Sequence, residues 1–179
     1  MIEPAADGAE ATAFLLTGVD WWRLVRFGPP GFEVYLRIAF TDEEDGVDSV
    51  RAALTTLARH TPTPTGFVAI WEGWGGRSPD PVAPRIAIPN REMLLFTGPI
   101  EEFRKAPSLA WEGVELDWTP PHLAWPEDRS WCLACEVDEE IEFTVGCGES
   151  AARELERSLG GLVRRVTYGQ DLPLYRDDE

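Results

Sequence analysis

The chain has 179 residues, 44% of them hydrophobic, with 32 Asp and Glu against 16 Lys and Arg, a net charge of −16 and a pI near 4.5. That apolar share excludes disorder over most of the chain, and the length suits one domain. The acidity argues against nucleic acid and anionic membrane, which carry the same sign, and leaves a basic protein as the compatible class of partner.

Residues 1–12 are small and acidic and read as a frayed tail, ahead of one domain over 13–172 and an acidic tail over 173–179. Residues 21–27, WWRLVRF, read as a strand closed by the turn Gly28-Pro29-Pro30-Gly31. Val34, Leu36, Ile38 and Phe40 alternate with Glu33, Tyr35, Arg37 and Ala39, the period of a half-buried strand. Asp42, Glu43, Glu44, Asp45 and Asp48 make an acidic loop, and the Asp48 carboxylate is placed to cap a helix by accepting unpaired backbone N–H groups. Val47, Val50, Leu54 and Leu57 follow at helical spacing, with His60 and Pro62 marking the end.

Residues 67–71 and 93–96 are short apolar runs and read as strands, separated by a Gly, Ser and Pro-rich loop over 75–84. Gly98-Pro99 opens a short helix, with proline where its missing N–H costs nothing. Residues 106–130 read as irregular, with Pro107, Pro120, Pro121 and Pro126. Trp131, Leu133, Cys135 and Val137 alternate, as do Ile141, Phe143 and Val145, giving two more strands. Ser150 is read as the cap of a helix carrying Leu155 and Leu159 and ending at Gly160-Gly161. Residues 163–168 add a last strand. Strands outnumber helices and do not alternate regularly with them, so the expected class is α+β, a mainly antiparallel sheet with two or three packed helices.

Cys132-Leu133-Ala134-Cys135, with Cys147 and His122, contains the elements of a Cys₃His zinc site. Residues i and i+3 of a strand face opposite ways, however, so the thiols read as small core residues and no metal or cofactor is expected. Gly146-Cys147-Gly148-Glu149-Ser150-Ala151 has the glycine spacing of a dinucleotide turn, but Glu149 sits where a pyrophosphate belongs. The alternative is a plain strand-to-helix turn needing positive φ. Ser150 lacks the later glycine of a nucleophile elbow, Ala152 standing there. His60 and His122 read as structural or exposed. Glu136, Asp138, Glu139, Glu140 and Glu142 read as a solvated turn between strands. No catalytic residue is assigned.

Four of the 8 Trp fall in two runs with charge between indoles, Trp71-Glu72-Gly73-Trp74-Gly75 and Trp125-Pro126-Glu127-Asp128-Arg129-Ser130-Trp131. Trp71, Glu72, Trp74, Trp125, Asp128 and Arg129 are therefore the candidate binding residues: indoles facing convergent charges suit a ligand pocket. The competing use of Asp128 and Arg129 is a clamp that closes the long loop onto the sheet, with Trp131 buried and Trp125 at least partly so.

Pro30-Gly31-Phe32-Glu33-Val34-Tyr35, the run 71–75, Leu95-Phe96-Thr97-Gly98-Pro99-Ile100, the run 125–131 and Val137-Asp138 occur in this order. Together they resemble a family of uncharacterised cytoplasmic proteins of high-GC Gram-positive bacteria. The resemblance spans roughly residues 20–160, implies a single domain there and carries over no activity or site. Consistent with a cytoplasmic location are the acidic N-terminus, which lacks the basic start of a signal peptide, and an odd number of cysteines, 3. No apolar run approaches the roughly 20 residues of a spanning helix.

Two functions follow as expectations. One is a small acidic binding protein, an immunity or antitoxin-like partner of a basic protein, drawn by its charge and by acidic loops at 42–48 and 136–142. The other is a small-ligand binder or enzyme with Glu72, Asp128 and Arg129 in a cleft between the two Trp runs. A buried Glu72 with a raised pKa would mark the second. The sequence does not fix an oligomeric state.

Overall fold

Alternating side chains build one nine-stranded sheet whose two faces are both covered. The computed structural model describes residues 1–13, 15, 20–41, 48–73, 83–105 and 120–175. Its strands are β1 (Glu3–Pro4), β2 (Val34–Ala39), β3 (Thr65–Trp71), β4 (Arg85–Ile88), β5 (Arg91–Pro99), β6 (Leu123–Pro126), β7 (Trp131–Ala134), β8 (Glu142–Cys147) and β9 (Val163–Val166). The helices are α1 (Ala9–Thr12), α2 (Trp21–Phe27), α3 (Asp48–Leu57) and α4 (Glu149–Leu159). Every strand pair is antiparallel, in the order β1-β5-β3-β6-β7-β8-β2-β9, with β4 also on β5. This is the expected α+β class.

One face gathers Leu36, Ile38, Val68, Ile70, Phe96, Trp131, Leu133, Phe143 and Val145 against Val50, Leu54 and Leu57 of α3 and Leu155 of α4. Leu159 packs at its margin. The other face sets Ala69, Met93, Leu95, Leu123, Trp125 and Cys132 under Leu24 and Val25 of α2. Cys132 and Cys135 thus lie on opposite faces, in separate clusters.

Several elements differ from the sequence reading. Residues 21–27 are a helix, not a strand. The Asp20 carboxylate accepts from the backbone N–H groups of Trp22 at 3.0 Å and Arg23 at 3.2 Å, and Gly28 ends the helix at φ 73°. WWRLVRF satisfies both periodicities, and its two terminators decide the matter. Leu123–Pro126 is a strand inside the stretch read as irregular; Pro126 closes it, and Phe67 pairs with Trp125. The helix after β8 is capped at Gly148, not Ser150, and Gly148 has φ −80°. The glycine that matters is Gly146: a Cβ there would stand 2.5 Å from the Phe32 ring.

The first residues are packed as well. Glu3 pairs with Thr97 and Pro4 with Phe96, and Ile2 and Ala5 are buried. Past β9 the chain returns across α2, where residues 172–174 are tied down by their carbonyls. The acidic loop residues 42–47 and the segment 176–179 lie outside the described residues.

Candidate functional site

The candidate residues fall at two opposite ends of β3. At the C-terminal end, Trp71 is half-buried and its backbone N–H donates to His122 Nδ1 at 3.0 Å. The Arg91 guanidinium lies 5.7 Å from the Trp71 ring centre and 5.9 Å from that of Trp21, a cation between two indole faces. Arg85 Nε donates to the Glu72 carboxylate at 2.7 Å. That bond holds the Glu72 carboxyl below its usual range. Glu72 is therefore a stable anion rather than a raised-pKa acid. An open hollow of about 610 Å³ lies against Trp71, Glu72, Ala87, Pro89, Asn90 and Arg91. Trp74 lies outside the described residues.

At the N-terminal end of β3, Trp125 is 1% exposed and stacks on Phe67, with ring centres 5.7 Å apart and planes at 27°. Asp128 Oδ1 accepts from Thr61 Oγ1 at 2.9 Å and from Ser130 N and Oγ at 3.2 and 2.9 Å. It ties the β6–β7 turn to the segment before β3. Arg129 follows in left-handed backbone, φ 60°, its N–H donating to Pro126 O at 2.9 Å. Asp7, Ala11, Phe67, Trp125, Glu127 and Arg129 line a half-open hollow of about 340 Å³. Since Phe67 pairs with Trp125 and Trp71 lies four residues on, the two Trp runs line two separate hollows and not one cleft.

Sequence reasoning missed the most polar part of the interior. Arg37 is fully buried beneath α2, between β8 and β9. It donates through Nε to Glu142 at 3.1 Å, through one terminal nitrogen to Thr144 Oγ1 at 3.0 Å, and through the other to Glu139 in a very short ion pair. Arg26 of α2 grips the Glu139 carboxylate with two bonds, 3.1 and 3.2 Å, and donates to the carbonyls of Leu172 and Pro173 at 2.9 and 3.4 Å. Arg164 of β9 holds Glu142 with two bonds, 2.8 and 2.7 Å. The result is a chain of alternating charge, Arg26, Glu139, Arg37, Glu142, Arg164. Nearby, Arg91 holds Glu136 at 2.7 Å.

The supposed solvated turn is therefore mostly interior: Glu136, Glu139 and Glu142 are buried. Burial pushes the Glu139 carboxyl up while Arg37 and Arg26 pull it back. At Glu142 burial also raises, but Arg164 and Arg37 prevail and hold it low. The spacing of Glu136, Glu139 and Glu142 was visible, but reading α2 as a strand removed the cover that puts them inside.

Burial shifts His122 and the three thiols. His122, 2% exposed, is lowered by desolvation and by Arg91 to a pKa of about 3. It is neutral, and Nδ1 accepts, so Nε2 carries the proton. Desolvation raises all three thiols, Cys135 and Cys147 to about 12. His60 pairs with Glu154 at 2.7 Å. The Glu33 carboxylate accepts from Glu149 N at 3.0 Å, so the start of α4 already holds an anion. Among the described residues no group of three His, Cys, Asp or Glu is arranged to hold a metal, and no helix is long and apolar enough to cross a membrane.

The fold and site define an α+β protein with a buried ionic network on one sheet face and a hollow at each end of β3. Comparison with protein-family models, with curated proteins and with solved structures finds no match.

Proposed function

We propose that this is a small acidic cytoplasmic protein that binds a basic protein, as an immunity or antitoxin-like partner does, within the bacterial family its sequence segments resemble. One observation carries the reading: seven of the described arginines are engaged at home. Arg26, Arg37 and Arg164 serve the buried carboxylates, Arg91 holds Glu136, and Arg59, Arg153 and Arg165 pair with Glu154, Glu149 and Glu156 on α4. The chain's excess, 32 acidic against 16 basic residues, is left for a partner to meet. Such a field steers association and weakens with salt. The carboxylates of Glu136, Glu139 and Glu142 are spent internally and fall outside the contact surface in this reading.

The test is calorimetric titration with peptides of alternating arginine and glycine, and of lysine and glycine, at low and physiological salt. Binding that weakens steeply with salt is expected. Absence of binding by both peptides at low salt overturns the reading.

A second reading, a small-ligand binder or enzyme, draws on the open hollow at Trp71, Glu72 and Arg91. The low pKa of Glu72 disfavours acid catalysis there, so ligand binding is the form that remains. A small molecule that raises the melting point of the protein, but not of Trp71→Ala, would put this reading first.

A further inference from the structure

The reading as a receptor for a basic partner can be carried to a particular hollow, the one at the β6–β7 turn. Its aromatic wall is the half-buried Phe67, backed by the buried Trp125 that the register of β3 and β6 sets beside it. Its charge comes from Asp7, Glu127 and Arg129, two carboxylates against one guanidinium. Among the described residues the Glu127 side chain has no hydrogen-bond or ion-pair partner. One Asp7 oxygen accepts from Ala9 N at 2.9 Å, and the second has no partner among them. The half-open space, about 340 Å³, suits one long side chain and not a whole helix or strand.

The geometry points to this hollow as the seat of a single arginine side chain of the basic partner. A guanidinium is planar, so it lies flat against an aromatic wall while its fork reaches carboxylates at the edge. An ammonium is a compact, strongly hydrated point charge and uses the flat wall poorly. A carboxylate ligand meets two like charges here. The turn that carries Glu127 is held from outside the hollow, by Asp128 on Thr61 and Ser130. The acceptor is therefore presented by a fixed loop, and little ordering is left to be done on binding. Arg129 keeps a long side chain at a left-handed position that glycine or asparagine usually fills, a conformational cost of the kind found at binding sites.

The experiment uses the same two peptides on the full chain. The arginine peptide is expected to bind at least about threefold more tightly than the lysine peptide, and Asp7→Asn with Glu127→Gln to weaken it about tenfold. Phe67→Leu keeps apolar bulk but removes the ring, and is expected to narrow the gap between the peptides. Asp7 and Glu127 are exposed, so melting points near wild type are expected; if the double variant melts early, Glu127→Gln alone is compared. If wild type binds the arginine peptide and the carboxylate variants bind it equally well, the hollow is not the seat and the basic-partner reading stands. Equal binding of the two peptides overturns the guanidinium assignment. Failure of wild type to bind either peptide overturns the earlier reading and this inference with it.

Discussion

Beneath α3 and α4 the sheet buries hydrocarbon, whereas on the face covered by α2 an apolar cluster is joined by buried Arg26 and Arg37 with Glu136, Glu139 and Glu142. β2 shows both in one strand: Leu36 and Ile38 face one way, Arg37 the other. The apolar face is stabilised by area and tolerates exchange of one hydrocarbon for another of like volume. The ionic face gains little net energy from each pair, because desolvation offsets the attraction, but it loses heavily when one partner is removed. Arg37 stands directly across from Thr144 of β8 and Arg164 of β9. A register slip of one residue would bring aliphatic chains to charged partners, so the network specifies alignment rather than adding stability.

The largest effects fall on both faces at once. Trp131→Ala is expected to cost about 3–5 kcal/mol as a cavity under α3 and α4. Arg37→Ala is expected to cost about 3–5 kcal/mol as well, by leaving Glu139 and Glu142 short of positive charge. Urea denaturation measures both. What separates the faces is coupling. Glu139→Gln is expected to cost less in an Arg37→Met background than in wild type, with a coupling of about 0.5–3 kcal/mol. Additive costs would mean that the five charges act singly and that the comparison of faces fails.

A smaller effect depends on pH. The folded-state pKa of His122, about 3, lies below its ordinary value of 6.5. Between those limits the unfolded chain binds a proton that the fold refuses, so His122 destabilises as pH falls below about 6.5, by at most about 1.4 kcal/mol per unit. Glu139 runs the other way: its raised pKa gives a contribution present in acid and lost as pH rises through the folded value. The two are separated by His122→Asn, whose amide oxygen can still accept from Trp71 N–H. Its stability is expected to fall less than wild type between pH 6.5 and 5. Parallel curves would show that His122 is not held neutral.

The smallest effect is at the turn. Arg129→Gly relieves a left-handed residue, a gain of about 1 kcal/mol, and removes an exposed side chain worth about 0–1 kcal/mol. The melting point is expected to rise slightly or hold. A marked fall would show that the guanidinium clamps the turn.

The apolar face was legible in the sequence because it follows simple periods: two in β2, β7 and β8, and helical in α3. Opposite placement of Cys132 and Cys135 followed from the same rule. The ionic face was illegible for a linked reason. Buried charge looks like surface charge in a string of letters, and its burial depends on α2, whose seven residues fit a strand as well as a helix. Of the six candidate residues, Trp125 and Asp128 took positions that their types suggested, a buried ring and a turn acceptor. Their distance from Trp71 was fixed by β6, a strand hidden between prolines.

Arg26 reaches the carbonyl of Leu172 across 146 positions of chain. During synthesis both early arginines, Arg26 and Arg37, emerge long before Glu139, Glu142 and Arg164, and before the segment that finishes their coordination. Until Glu139 is available, α2 cannot settle on its face without stranding the charge of Arg26. The fold therefore closes as one late event rather than growing from its beginning, and contacts of such long range make that event slow. Chains interrupted before residue 139 would carry Arg26 and Arg37 without the carboxylate that the two share.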